Sequence, residues 1–495
     1  MNGFGFVALC FLILALPVAA QQTKYLDPTT RDAATKIANS ILQDEKTLQY
    51  DEELADGIGP RLTGSQSYEQ AVNWAVQQFR ALGLDAHTER FSFNAAWEPE
   101  TEARAEMLTP RRQTLHLISL GWSPSTPSHG IRGQVFLIRN LLSPQSLEQD
   151  REKIKGNIAL VDRSSYSFPN GLLPGAYFAA IASLRNYGAR AVLIGGTRSD
   201  NDVDYGGAIT MDSSIAPLPI ARVGREDLAL LVRLLKKGPV TVQFSYKNRI
   251  RRPGEAENVV AEIKGREKPD EFVLVGAHLD SVQVGNGAQD DGAGVAAVLE
   301  AARAIKASGV APRRSVRFVL FGGEEEWELG SKAYATQHEN ELGKCAAVLI
   351  TDTGSDTPHG WYINGRQDEI AALEAIAPVL EPVGGSAISK DSDYLLHSDH
   401  TAFLLRGVPT LMLWTDMTTY FHYVHQPGDT YDKIDKEKLA KGTAIIAATA
   451  FAIADSAESF APHLSHAEIE ELLKATKKYE GYLDLEKHSP TASAP

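Results

Sequence analysis

The chain has 495 residues, 43% of them hydrophobic and 23% charged. That is too long for one ordinary domain and has the balance of a soluble enzyme of two or three. Its 63 Asp and Glu against 49 Lys and Arg give a net charge of −14 with no basic clusters, which argues against nucleic acid or an anionic membrane as a partner.

Residues 4–20 form an apolar run ending in Val18-Ala19-Ala20, and small side chains at −3 and −1 suit cleavage of a signal peptide, residues 1–20, after Ala20. The run is short for a membrane span. Met1-Asn2-Gly3 carries no basic side chain ahead of it, so a retained N-terminal anchor is the alternative, and only then is a membrane a partner. The protein is expected to be secreted or periplasmic. Cleavage removes Cys10 and leaves Cys345 alone, so no disulfide is expected.

Residues 21–112 read as the first part of a main domain. Polar helical segments occupy 30–49, and the loop Gly59-Pro60-Arg61-Leu62-Thr63-Gly64-Ser65 precedes a helix over 68–82 that Gly83 ends. Residues 87–93 alternate like an edge strand. The composition shifts near Glu100, and 113–243 shows short strands and loops, with clearer units at 156–163 and 187–195 and a helix over 226–235. It contains neither a metal-ligand cluster nor a nucleophile motif, so it reads as an inserted domain, a lid or binding surface. Residues 244–460 resume the main domain, and 461–495 are expected to form one helix and a disordered tail.

The organising stretch is 273–300. An apolar run at 272–275 has the character of a strand buried on both faces, and His278 and Asp280 follow it. A Gly-rich loop then carries Asp290 and Asp291. Val295, Val298, Leu299, Ala302 and Ile305 lie at helical spacing behind them, with Asp291 placed as N-cap and Gly309 as the stop. The pattern recurs. The run 316–321 leads to Glu324-Glu325-Glu326, 346–350 to Asp352, and 408–413 to a loop with His422, His425 and Asp429, followed by a helix over 436–454. Strands alternating with helices specify an α/β fold, a doubly wound and largely parallel sheet. Its strand ends lie along one edge, which brings His278, Asp290, Glu324, Glu325, Asp352 and His425 together.

Alone, each acidic turn is a solvated loop, and that bland reading is retained for Glu326 and Glu328. Two imidazoles and three carboxylates without a thiolate suit Zn²⁺ in a hydrolytic site, with Co²⁺ or Mn²⁺ as weaker candidates. Five side chains exceed one tetrahedral ion, and a bridging carboxylate would make two sites. One member of the Glu324-Glu325 pair can bind metal while its neighbour acts as base. Asp280 is cast as the residue that orients the imidazole of His278.

The segments HLDS, GAQDDGAG, FGGEEEWELGS, ITDTG and HQPGDTYDKID resemble the successive motifs of the M28 zinc exopeptidases. GPRLTGS and NVVAEIKG resemble that family's N-terminal part, and the insert resembles a protease-associated (PA) domain. The resemblance covers about residues 50–457. It implies two zinc ions per chain, one held by His278 and Asp352 and the other by Glu325 and His425, with Asp290 bridging. Glu324 would be the general base, and the Asp290-Asp291 peptide would be cis.

This chain departs from the pattern in two places. Trp327 and Glu328 stand where Gly and an apolar residue are usual, and Ser398-Asp399-His400 looks like the family's aminopeptidases, so the end preference stays open. His400 and His422 read equally as structural or as substrate contacts. No Arg or Lys falls within the metal-site motifs before Lys433, so the expected substrates are dipeptides or short peptides with a free amine. A peptide is the expected partner, with a second copy if the protein is a homodimer. The alternatives are a non-catalytic binding protein of the same fold and a single-zinc glutaminyl cyclase.

Overall fold

The strand Lys268–His278 is buried along its last seven residues and lies inside an eight-stranded sheet of the computed structural model. The structure describes residues 25–162, 174–204 and 209–488; the expected signal peptide and the tail beyond 488 lie outside these. The strand order is Asp85–Phe93, Gly254–Ile263, Arg314–Phe321, Lys268–His278, Cys345–Ile350, Thr410–Thr415, Pro358–Tyr362, Ala387–Ser389. The run from Arg314–Phe321 to Thr410–Thr415 is parallel, and antiparallel pairings flank it.

Continuous apolar runs are what such inner strands need, because both faces are covered. Val273, Val275 and Ala277 pack with Val295, Val298 and Leu299 of the helix Ala293–Ala307 and with Ile445 and Phe451 of the helix Lys436–Asp455. Phe272 and Leu274 point the other way, toward Tyr334 and Phe403. The sheet is therefore doubly wound, as its strand–helix alternation specifies. Removing each such side chain from water contributes about 1.5–3 kcal/mol. Asp85–Phe93 is an edge strand, paired only with Gly254–Ile263.

A second eight-stranded sheet takes in the strands from Ala96–Thr109 to Thr241–Arg251. It has its own core around Leu160, Leu193, Val242 and Phe244. The bounds expected from composition, 113 and 243, are too narrow. Ala96–Thr109 and Thr241–Arg251 form a long antiparallel ribbon whose pairing runs out to Ala96 opposite Arg251. The outer face of Ala96–Thr109 is exposed and rich in Glu, so the strand leaves no hydrophobic run to read.

After the main domain come two helices rather than one. His466–Ala475 opens with a Ser465/Glu468 capping box, and Tyr479–His488 reaches the second-sheet unit, where Asp484 accepts the Gly175 N–H at 2.9 Å. Among the described residues no helix is long and apolar enough to cross a membrane.

Candidate metal centre

The parallel strands end on one edge and deliver the chemistry there. His278 is the last residue of its strand, Glu324 and Glu325 follow Phe321, and Asp352 follows Ile350. Asp290 sits in the loop before the helix Ala293–Ala307, and His425 follows the short helix Thr418–Tyr423. The six side chains fall into two triads, His278/Glu324/Asp352 and Asp290/Glu325/His425, with the ligand atoms of each within 4.8 Å of one another.

Asp290 faces both imidazoles. Its Oδ1 is 3.0 Å from His278 Nε2 and its Oδ2 is 3.1 Å from His425 Nε2. Asp352 Oδ1 lies 3.6 Å from His278 Nε2, and Glu325 Oε2 lies 3.0 Å from His425 Nε2. The Asp290-Asp291 peptide is cis.

A surrounding layer of hydrogen bonds holds this arrangement. His278 Nδ1 is 3.1 Å from the Asp280 carbonyl, which can only accept, so Nδ1 carries a proton and Nε2 is the nitrogen left to face Asp290. The Asp280 carboxylate accepts the backbone N–H groups of Glu324 and Glu325 at 3.3 and 3.4 Å, so one residue positions both the imidazole and the Glu pair. Gly323, at φ 73, lets the chain turn into that pair. Asp291 accepts the N–H groups of His278 at 3.3 Å and Gly294 at 3.0 Å. Gly292 already has helical φ/ψ while Asp291 does not, so Asp291, accepting the N–H three residues on, caps the helix as expected.

Three supporting residues were not singled out from sequence. Asp429 accepts the N–H groups of Gln289 and Asp290 at 2.7 and 3.2 Å, and the Tyr420 hydroxyl donates to Asp352 Oδ1 at 2.9 Å. The position of Asp429 four residues after His425 was the one available signal; Tyr420 left none. The third, Arg61 of the GPRLTGS loop, is fully buried and donates to the carbonyls of Leu279, Asn286 and Gly287 at 2.6, 2.9 and 2.9 Å. It staples the loop between His278 and Asp290. Arg61→Met should strand three carbonyls and leave the buried Asp51 without its facing charge, lowering stability by about 3 kcal/mol. The shift in urea midpoint measures this, and an unchanged midpoint would show that the loop holds itself.

The electrostatics are those of a carboxylate pocket short of positive charge. Burial opposes charge on His278, yet Asp280, Asp290 and Asp352 raise its pKa well above normal. Glu325 and Asp290 do the same for His425 against its burial. Burial raises the Glu324 carboxyl well above the usual range; His278 opposes this, and the Asp352 and Glu325 charges add to it.

Glu326 and Glu328 are not solvated. They are 0% and 6% exposed, because the helix starts only at Leu329 and the left-handed Trp327 and Glu328 turn the chain inward. Burial, with the Asp280 charge adding to it, raises the Glu326 carboxyl well above normal.

The triads border a cleft of about 530 Å³ whose further wall includes Trp327, Tyr394, His397, Ser398 and Phe421. Among the described residues no Lys or Arg lines it. His400 and His422 lie outside the lining. His400 is buried, and burial together with the nearby His397 pushes its pKa down to about 3, while His422 is exposed and edge-on to Tyr423.

Peptidase family M28 matches residues 258–450, the span that carries all six converging side chains. Carboxypeptidase Q of Bos taurus is 29% identical over 436 residues, covering 86% of this chain and 90% of that protein. A peptidase M28 precursor from Shewanella amazonensis, known from its crystal structure, is 30% identical with a TM-score of 0.76, covering 89% of this chain and 100% of that one. A zinc aminopeptidase from Bacillus subtilis shares the fold at 22% identity and a TM-score of 0.63, over 82% of this chain and 93% of the other. With the fold matched over the full length of a 30%-identical relative, and the family's span coinciding with the site, the chain belongs to peptidase family M28.

Proposed function

We propose that the protein is a zinc exopeptidase that hydrolyses dipeptides and short peptides bearing a free amine. The observation that carries this reading is Asp290, whose two oxygens each face a different imidazole at 3.0 and 3.1 Å. His278 and Asp352 would hold one zinc, Glu325 and His425 a second, and Asp290 both. The donor set fits. It is all imidazole and carboxylate, borderline to hard, and its excess of carboxylates calls for cations. Bound zinc would supply a nucleophilic water and polarise the scissile carbonyl.

The residues of the chain do the rest. Glu324, half-buried at the cleft and fixed through its own N–H by Asp280, takes the proton. Asp280 keeps His278 in one tautomer, and Tyr420 steadies Asp352. The second-sheet unit, read as a PA-like roof, would exclude bulk water and long chains. Residues 1–20, read as a signal peptide, would direct the protein out of the cytoplasm.

Relatives of this chain are named both carboxypeptidase and aminopeptidase, so the end preference must come from the cleft. A free carboxylate would want Arg or Lys, and the lining offers Asp393 instead, with Glu328 already paired to Lys332. A panel of free and N-acylated dipeptides, with and without chelator, tests this. Free-amine peptides should be cleaved, chelator should stop the reaction and zinc should restore it. Fast cleavage of the acylated peptides with the free ones untouched would instead mark a carboxypeptidase.

A further inference from the structure

Trp327 lines the cleft two residues after the Glu324-Glu325 pair. Its backbone is left-handed, at φ 69, and Glu328 follows at φ 57, a conformation that bulky residues rarely adopt. Two contacts hold it there. Lys332 Nζ donates to the Trp327 carbonyl at 2.8 Å and pairs with Glu328 Oε2 at 2.9 Å. Phe178, from the helix Pro174–Ser183 of the second-sheet unit, meets the indole edge to face, with centroids 6.1 Å apart and planes at 73°. Tyr177 packs against Phe178 in turn, and the N-terminus of that helix is tied to Asp484 on the C-terminal helix. The indole is thus a point where the second-sheet unit meets the metal cleft, its ring met by Phe178 and its backbone held by Lys332.

Glycine fits such a backbone without strain and would leave open the space that the indole fills. Because Glu328 is paired with Lys332, this wall offers a substrate bulk more than charge. We propose that Trp327, braced by Phe178, is a steric stop that closes the cleft where the two units meet and limits the substrate to two or three residues. The proposal rests on the peptidase reading and assigns its length limit to these two side chains.

The test compares kcat/KM of the zinc-loaded protein for Leu-Gly and for Leu-Gly-Gly-Gly-Gly, in the wild type and in Trp327→Gly, Trp327→Asn and Phe178→Ala. The wild type should favour the dipeptide. Trp327→Gly suits the backbone, so folding should survive, and the pentapeptide-to-dipeptide ratio should rise at least about tenfold. Trp327→Asn, which also tolerates the left-handed backbone, should move the ratio the same way. Phe178→Ala, remote from the metal loop, should move it likewise but less.

An unchanged ratio in all three variants while dipeptide cleavage persists overturns the stop. So does a wild type that cleaves the pentapeptide as readily as the dipeptide. Hydrolysis of neither peptide by the zinc-loaded wild type overturns the peptidase reading itself, and the stop with it.

Discussion

Asp290→Asn should release more than one equivalent of zinc per chain and abolish peptide hydrolysis. The argument is geometric. One carboxylate faces His278 through Oδ1 and His425 through Oδ2, so replacing one oxygen with an NH₂ group removes the negative charge and turns a donor toward the place where a cation would bind. The supports should survive, since Asp429 binds the backbone of residue 290 and not its side chain. Elemental analysis measures the loss, and two retained equivalents would show that another residue bridges.

The variant also separates two contributions to stability. At zinc 100 times above its dissociation constant, a bound ion stabilises the fold by about 2.7 kcal/mol, and the variant forfeits that for each ion lost. In chelator the gap should narrow by the share of the lost metal but not vanish, because against its burial the two imidazoles still hold the Asp290 carboxyl well below the usual range. A stability gap of equal size with and without chelator would mean that Asp290 acts through folding alone.

Glu324→Gln should keep its metal and lower kcat by a factor of at least about 100. The amide matches the carboxylate in shape, and Asp280 still accepts the N–H of residue 324, so the loop should stay in place. What is lost is a group able to take a proton. The triad geometry also admits Glu324 as a ligand beside His278 and Asp352, and the zinc content of the variant decides between the roles. Full metal with slow turnover identifies the base, whereas loss of an equivalent identifies a ligand. Near wild-type turnover in the metal-replete variant would remove Glu324 from both.

Much of this was legible before any coordinates, because the relevant physics is local. A strand covered on both faces cannot alternate polar and apolar residues, so the runs at 272–275, 316–321, 346–350 and 408–413 announced inner strands, and the site residues followed at their carboxyl ends. The helix behind Asp291 declared itself by its stripe of Val295, Val298, Leu299, Ala302 and Ile305.

The rest depended on contacts between distant parts of the chain. Glu326 looked solvated because charge next to charge usually is; only the inward turn at Trp327 and Glu328 buries it. The ribbon that widens the second-sheet unit to residues 96–251 is half solvent-facing, and its pairing partner lies about 150 residues away. Arg61 could not be matched to the loop it staples, more than 200 residues on, because a side chain that serves three backbone carbonyls leaves no mark in their identities. Which residues end the strands, and which chemistry they bring, follows from local patterns along the chain. That both oxygens of Asp290 are engaged, and that an indole from one unit meets a phenyl ring from the other, emerges only on folding, because packing distances across the chain carry no periodicity to read.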